Sequence, residues 1–309
     1  MPIPPRKVIM SLSILLVLTL VAAVLFFRSA PQTPEQAAQQ TQAPGIPAEW
    51  PQIQALLEQN ALPAIHIKLL DEKPVRAYQS KFGGQAWWPA GKPYPTGKNG
   101  QPLVFLAQIN FSELNGQLVD YPATGLLQFF IGSDDLYGMD FIDKSLPLER
   151  YLTMKKNFAV IYHREVDASA PTRSAPLLAT SADDLLPHRG ETAITLSLGR
   201  DIANPADYRF RKILAPLGDL SEAADEYAFE TLGQSPSHKL GGYAAFTQED
   251  PRGYEGKSEE WLLLFQMDTD SNERFEIMWG DVGIANFFIR RADLKALDFD
   301  KVWYNWDCH

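Results

Sequence analysis

The first hydrophobic feature of the chain is unbroken. Residues 8–27 carry no charged side chain, and only Ser11, Ser13 and Thr19 interrupt the apolar run. As a helix, a run of that length spans about 30 Å, the thickness of a bilayer's hydrocarbon core. It predicts a transmembrane anchor at 8–27 behind a short cytoplasmic tail, 1–7. Arg6 and Lys7 precede the run, and after Arg28 no Lys or Arg follows until Lys68. That asymmetry places the remainder on the outer side of a cytoplasmic membrane. A cleaved signal peptide is the alternative, with an apolar run that is long for one. Residues 28–49 are rich in Pro, Gln and Ala, cannot offset their ordering entropy by burial, and are expected to be a disordered linker.

From residue 50 the pattern becomes that of a globular domain, expected over 50–309. Pro51 suits a first helical position, Ile53, Leu56 and Leu57 share a face, and Asn60 closes that helix. Ile65, Ile67 and Leu69 alternate with His66 and Lys68, which predicts a strand with His66 outward. The segments 103–110 and 125–131 are apolar throughout and predict strands buried on both faces. Further strands are expected at 157–165, 192–198, 261–267, 275–279, 283–289 and 301–306. The polar stretch 268–273 reads as a hairpin turn. A helix is expected over 219–233, capped by Asp219 with Glu222 three residues on and stopped by Gly233. Asp293 is expected to cap another short helix.

Two parts of this pattern match each other. Lys81-Phe82-Gly83-Gly84, Gln108 within LAQIN and Gln128-Phe129-Phe130-Ile131 return as Lys239-Leu240-Gly241-Gly242, Gln266 within LFQMD and Asn286-Phe287-Phe288-Ile289. Each pair is 158 residues apart, and eleven of the 51 positions from 81 to 131 are identical to their partners without a gap. The identities fall in three blocks, which argues for an internal duplication more strongly than their number does. A first repeat is expected at about 78–166 and a second at about 236–309. Near the end Val302-Trp303-Tyr304 corresponds loosely to Val160-Ile161-Tyr162, at an offset of 142. Each repeat alone would be a marginal fold, so the two are expected to share one core. The fold class expected is α+β, mainly β, with pseudo-twofold symmetry.

Composition narrows the partners. The net charge is −10 and no basic run exists to meet a phosphate backbone, which argues against nucleic acid. Cys308 is the one cysteine, so neither an intrachain disulfide nor a multi-cysteine metal site can form. No cofactor is expected.

The motifs SKFGG, LAQIN, GLLQFF, DDLYG, HKLGG, MWGDVGIANFFI and YNWDC, running in this order from about Tyr78 to Cys308, resemble the bacterial YwqG-like family, a domain-of-unknown-function group. The resemblance implies a mainly β or α+β domain with an internal duplication. It brings no catalytic residues, cofactor or substrate. Members of that family are usually soluble and cytosolic, and the expected anchor departs from them.

The candidate site residues follow from the repeat. Diglycine amides beside Lys81 and Lys239 could hold an anion, although each lysine precedes its glycines, the reverse of a phosphate loop. Gln108 and Gln266 lie in apolar strands and must find partners, either a ligand or the other repeat. Trp279-Gly280-Asp281, with Asp134-Asp135, places an aromatic side chain beside carboxylates. Asp268-x-Asp270-x-Asn272 opens like a calcium loop but has Glu273 and Trp279 at the sixth and twelfth positions, so it fails. Cys308 and His309 are adjacent and cannot close a metal site alone. These residues predict a cleft between the repeats lined by Lys81, Lys239, Gln108, Gln266, Trp279 and Asp281. The reading is a membrane-tethered, non-catalytic binding module for a small molecule or a protein. A toxin-neutralising interaction protein and a hydrolase using Asp134, Asp135 or Asp281 are the alternatives.

Overall fold

In the computed structural model, the described residues are 45–114, 118–141, 145–169, 186–233, 238–254 and 261–309. The tail at 1–7, the anchor at 8–27 and most of the linker lie outside them. Among the described residues no helix is long and apolar enough to cross a membrane.

The strands are β1 (Leu62–Leu69), β2 (Lys81–Gly83), β3 (Val104–Asn110), β4 (Leu126–Ile131), β5 (Ala159–His163), β6 (His188–Asp201), β7 (His238–Gly241), β8 (Trp261–Asp268), β9 (Asp270–Ser271), β10 (Phe275–Ile277), β11 (Ile284–Arg290) and β12 (Trp303–Asp307). They form a mainly β protein, a curled antiparallel half-barrel sheet with a few helices. The order across the sheet is β12-β11-β8-β7-β1-β6-β2-β3-β4-β5, and β9 and β10 hang from β6. From the β1–β6 ladder outward, four strands lie on each side in the same chain order: β2, β3, β4, β5 on one arm and β7, β8, β11, β12 on the other.

The apolar runs occupy the interior strands of the arms. Every residue of β3 and of β4 is buried, as continuous apolar strands covered on both faces should be. The concave face holds the main core, where the arms meet: the Phe129 ring of β4 lies 4.4 Å from that of Phe265 in β8 and 5.0 Å from that of Phe287 in β11. The convex face of each arm carries its own cluster. Ala86, Trp88, Leu103, Phe105 and Phe130 pack on the first, and Ala244, Phe246, Trp261, Leu263 and Phe288, each 158 residues later, pack on the second. Outside these, helix Trp50–Gln59 buries Ile53 and Leu57 against helices Phe210–Leu214 and Glu222–Leu232.

Several sequence expectations are corrected. The long helix begins at Glu222, not Asp219: Ser221 is its cap, its side chain accepting from Ala224 N, while its own N and Oγ approach the Glu49 carboxylate. Asp293 lies inside helix Arg291–Ala296, where it takes the Arg290 guanidinium, and Arg290 is the N-cap. The hairpin expected at 268–273 forms between β9 and β10, turning at 272–274, and does not join β8, which pairs with β7 and β11. The last strand starts at Trp303, after a 3₁₀ turn at Phe299–Lys301. Its ladder also resets the correspondence with β5. Phe129 pairs Val160 and Phe287 pairs Tyr304, so equivalent residues there are 144 apart, not 142.

Candidate functional site

The two lysine-diglycine turns are built alike. Gly83, Gly84, Gly241 and Gly242 all have φ between +65° and +75°, a region that L side chains avoid. A Cβ on Gly84 would collide with the Glu191 side chain, and one on Gly242 with that of Asp201. The glycines thus leave room for a carboxylate, which each lysine takes: Lys81 Nζ lies 2.7 Å from Glu191 Oε1 and Lys239 Nζ 2.8 Å from Asp201 Oδ2. Both lysines are buried and both acids come from β6.

Among the described residues, the hydrogen bonds of the glutamines run within their own arms. Gln108 Oε1 accepts from Trp87 N at 3.1 Å, and its Nε2 donates to Ala77 O and Gln79 O at 2.8 and 2.7 Å. Gln128 Nε2 donates to Trp87 O at 2.7 Å, and the His163 ring meets Gln128 Oε1 at 2.9 Å. Burial lowers the His163 pKa to about 4, so the ring is neutral near pH 7. On the other arm Gln266 Oε1 accepts from Ala245 N at 2.8 Å, and Asn286 Nδ2 donates to Ala245 O at 2.9 Å. Each amide pair clamps the loop that follows its own diglycine turn, because a buried amide needs partners and that loop's backbone needs the same.

The expected cleft residues are therefore dispersed. Lys81 with Gln108 and Lys239 with Gln266 sit on different arms; β2 and β7 are three strand spacings apart, about 14 Å. Trp279 is fully buried among the rings of Tyr137, Tyr304 and Trp306. Asp281 is exposed, and its carbonyl accepts from His309 N at 3.2 Å. The structure does unite two motifs, since a Cβ on Gly280 would lie 2.8 Å from Cys308 Sγ. Asp134 accepts from Leu136 N and Gly138 N and so closes its own loop. The failed calcium loop has another use. His238 Nδ1 accepts from Asp268 N, which leaves Nε2–H to face Asp270 Oδ2 at 3.2 Å, and that hydrogen bond lowers the Asp270 pKa. Among the described residues no group of three or more His, Cys, Asp or Glu is placed to hold a metal.

The cavity that does lie between the arms has other walls. It measures about 530 Å³ and sits where the sheet's two edges approach, with Thr96, Met154, Phe158 and Ile161 on the first side and Asp298 and Lys301 on the second. Among the described residues β5 pairs with β4 alone and β12 with β11 alone, so each leaves an outer edge. Lys156 straps this seam. Its Nζ donates to Leu152 O at 2.9 Å and, across the gap, to Asp300 O at 3.1 Å and Val302 O at 3.0 Å. Desolvation pulls its pKa down to about 8, against the opposing pull of Asp300, Asp140 and Asp298. With three carbonyls already taken, this amine is structural and no free nucleophile. Tyr121 OH, which donates to Leu263 O at 2.8 Å, and the Arg290–Glu149 pair are further ties between the arms. No pattern in the sequence singles out Lys156; only the curl of the sheet makes it a strap.

Residues 80–308 match the model of a family described as a Domain of unknown function (DUF1963), and the chain belongs to that family. No curated protein matches the chain.

Proposed function

We propose that this member of the DUF1963 family is a non-catalytic binding module and that the seam cavity is its site, the ligand being a short extended segment of a partner polypeptide. The observation that carries this reading is the outer edge of β5 within a 530 Å³ cavity lined from both arms. Alternate main-chain N–H and C=O groups of such an edge point away from the sheet, and an added strand can satisfy them. The volume lies within the range of ligand pockets. Met154 and Phe158 offer an apolar floor, while Lys155, Lys301, Asp298 and Asp300 provide charges of both signs at the rim. The polar groups expected to read a ligand, Lys81, Lys239, Gln108 and Gln266, serve as scaffold under this reading.

The test selects random displayed heptapeptides on the intact chain and measures their binding to Met154→Trp, which fills the cavity. Selected peptides should bind the parent, protect the amides of 159–161 from exchange, and lose at least about tenfold in affinity to the variant, equivalent to about 1.4 kcal/mol. Peptides that bind both proteins equally, or a selection that yields none, would overturn the site.

Three finer points belong to the same proposal. The run 8–27 tethers the domain to a cytoplasmic membrane on its outer side, and a topology reporter fused after His309 tests that by its activity on either side. The two arms descend from one copied half-unit, a reading supported by the mirrored strand order, the shared 158-residue spacing of the convex clusters and the paired lysine–carboxylate contacts. An experimental structure in which no twofold rotation carries β2–β5 onto β7, β8, β11 and β12 would remove it. The chain is also YwqG-like, which a family-wide comparison of the FGG and LGG turns would check.

A further inference from the structure

Six of the described arginines, Arg209, Arg211, Arg252, Arg274, Arg290 and Arg291, each lie within ion-pair distance of a carboxylate. Arg76, Arg150, Arg164, Arg189 and Arg200 have no such partner among the described residues. Two of these five, Arg76 and Arg164, line one recess of about 390 Å³ beside the strand end of β3. They reach it from separate segments, Arg76 from the turn before β2 and Arg164 from the residue after β5. Both are exposed. In a chain of net charge −10, two guanidiniums against Glu113, the one carboxylate among the described lining residues, leave this concavity net positive, a local inversion of the surface potential.

The recess is ordered around them. The Arg76 guanidinium carbon lies 5.6 Å from the Tyr78 ring centroid, a stacking that limits its rotamers. Asn110 is buried and spent: its Nδ2 donates to Tyr78 O at 3.2 Å and its Oδ1 accepts from Ser112 N at 3.0 Å, which pins the floor. The Tyr162 hydroxyl donates to Thr124 O at 2.8 Å and fixes the wall. Glu113 takes Ser80 N at 3.3 Å with Oε1. The hydroxyls of Ser112 and Thr124 and the second oxygen of Glu113 complete the lining.

We infer that this recess is a binding site for a small hydroxylated oxyanion, the chemistry shared by sugar phosphates and sugar acids. A planar guanidinium matches a carboxylate or phosphate through two parallel N–H···O bonds, and two arginines can grip one such group from two sides. Glu113 repels a bare anion, but its carboxylate accepts from ligand hydroxyls, and Ser112 and Thr124 can donate or accept. The oxyanion thus sits at Arg76 and Arg164 and the hydroxylated body toward Glu113. This site shares no residue with the seam cavity, so it stands or falls separately from the peptide reading.

Titration calorimetry of the full chain with glucose 6-phosphate, glucuronate, glucose and inorganic phosphate tests it. Saturable binding of glucose 6-phosphate or glucuronate, absent for glucose and weaker for phosphate, is expected, and the tighter of the two identifies the oxyanion. Arg164→Gln should weaken it at least about tenfold, the loss of one charge-assisted hydrogen bond. Arg164→Lys should recover part of the loss, and Met154→Trp should leave it unchanged. Ser112→Asp, which adds a carboxylate to the recess by a second route, should abolish it. No saturable heat with any of the four probes, equal affinity for glucose, or full affinity in Arg164→Gln would overturn the assignment.

Discussion

At the scale of single residues, the strongest commitments are buried charges. Asp207 has a fully buried carboxylate that receives Arg209 at 2.7 Å and Arg252 at 2.8 Å, and Arg252 also holds Asp250. Burial alone would raise the pKa of Asp207, but the Arg209 hydrogen bonds and the Arg252 charge hold it well below the usual carboxylate range. A depressed folded pKa gives stability that is fully present above the unfolded pKa near 3.9 and is lost as pH falls through the folded value. Asp207→Asn should therefore cost about 3–5 kcal/mol at pH 7 by leaving Arg209 without a carboxylate and Arg252 with Asp250 alone, and the deficit should shrink as the parent is acidified below about pH 4. Urea titrations at pH 7 and pH 3 measure it; an equal difference at both would exclude this source. None of this was legible beforehand. Asp207 and Arg252 are 45 residues apart, and only the fold pairs them.

At the scale of elements, the sequence carried more. The unbroken apolar runs gave β3 and β4, and the repeated Lys-x-Gly-Gly motifs marked two turns whose backbone angles demand glycine, while the short strands β2 and β7 leading into them were not expected. What could not be read was the other half of each contact. Glu191 and Asp201 sit in β6, at a distance no local pattern spans, and Gln108 bonds loop backbone together with the Gln128 side chain of its own arm. The 219–233 helix shows the same limit: Asp219 and Ser221 are both acceptable caps, and the nearby Glu49 carboxylate, a tertiary contact, accompanies the choice of Ser221. A direct consequence concerns the turns. Gly242→Ala meets both a φ of +75° and the Asp201 side chain, and should cost about 1–3 kcal/mol in thermal unfolding. Gly91→Ala, with nothing within 4 Å, should change it by a few tenths of that scale. Equal effects would mean that the turn geometry does not matter.

At the scale of the whole molecule, both arms feed one core at the Phe129–Phe265 contact, while the expected cleft residues lie within the arms and the seam is lined by others. Periodicity reports which residues face inward; it does not report how far a sheet curls, and the seam exists only because the two edges approach. The strand β6 runs through the centre of this arrangement, pairing with β1, β2 and β10 and supplying the acid for both lysines. Neither arm can release its lysine without disturbing a backbone that the other arm also uses. Opening should then be concerted. Native-state hydrogen exchange at Lys81 and Lys239 should converge on a single free energy as denaturant rises, and Glu191→Gln should lower protection at the distant turn as well as at its own, so that damage to one half is felt as a loss of cooperativity by both.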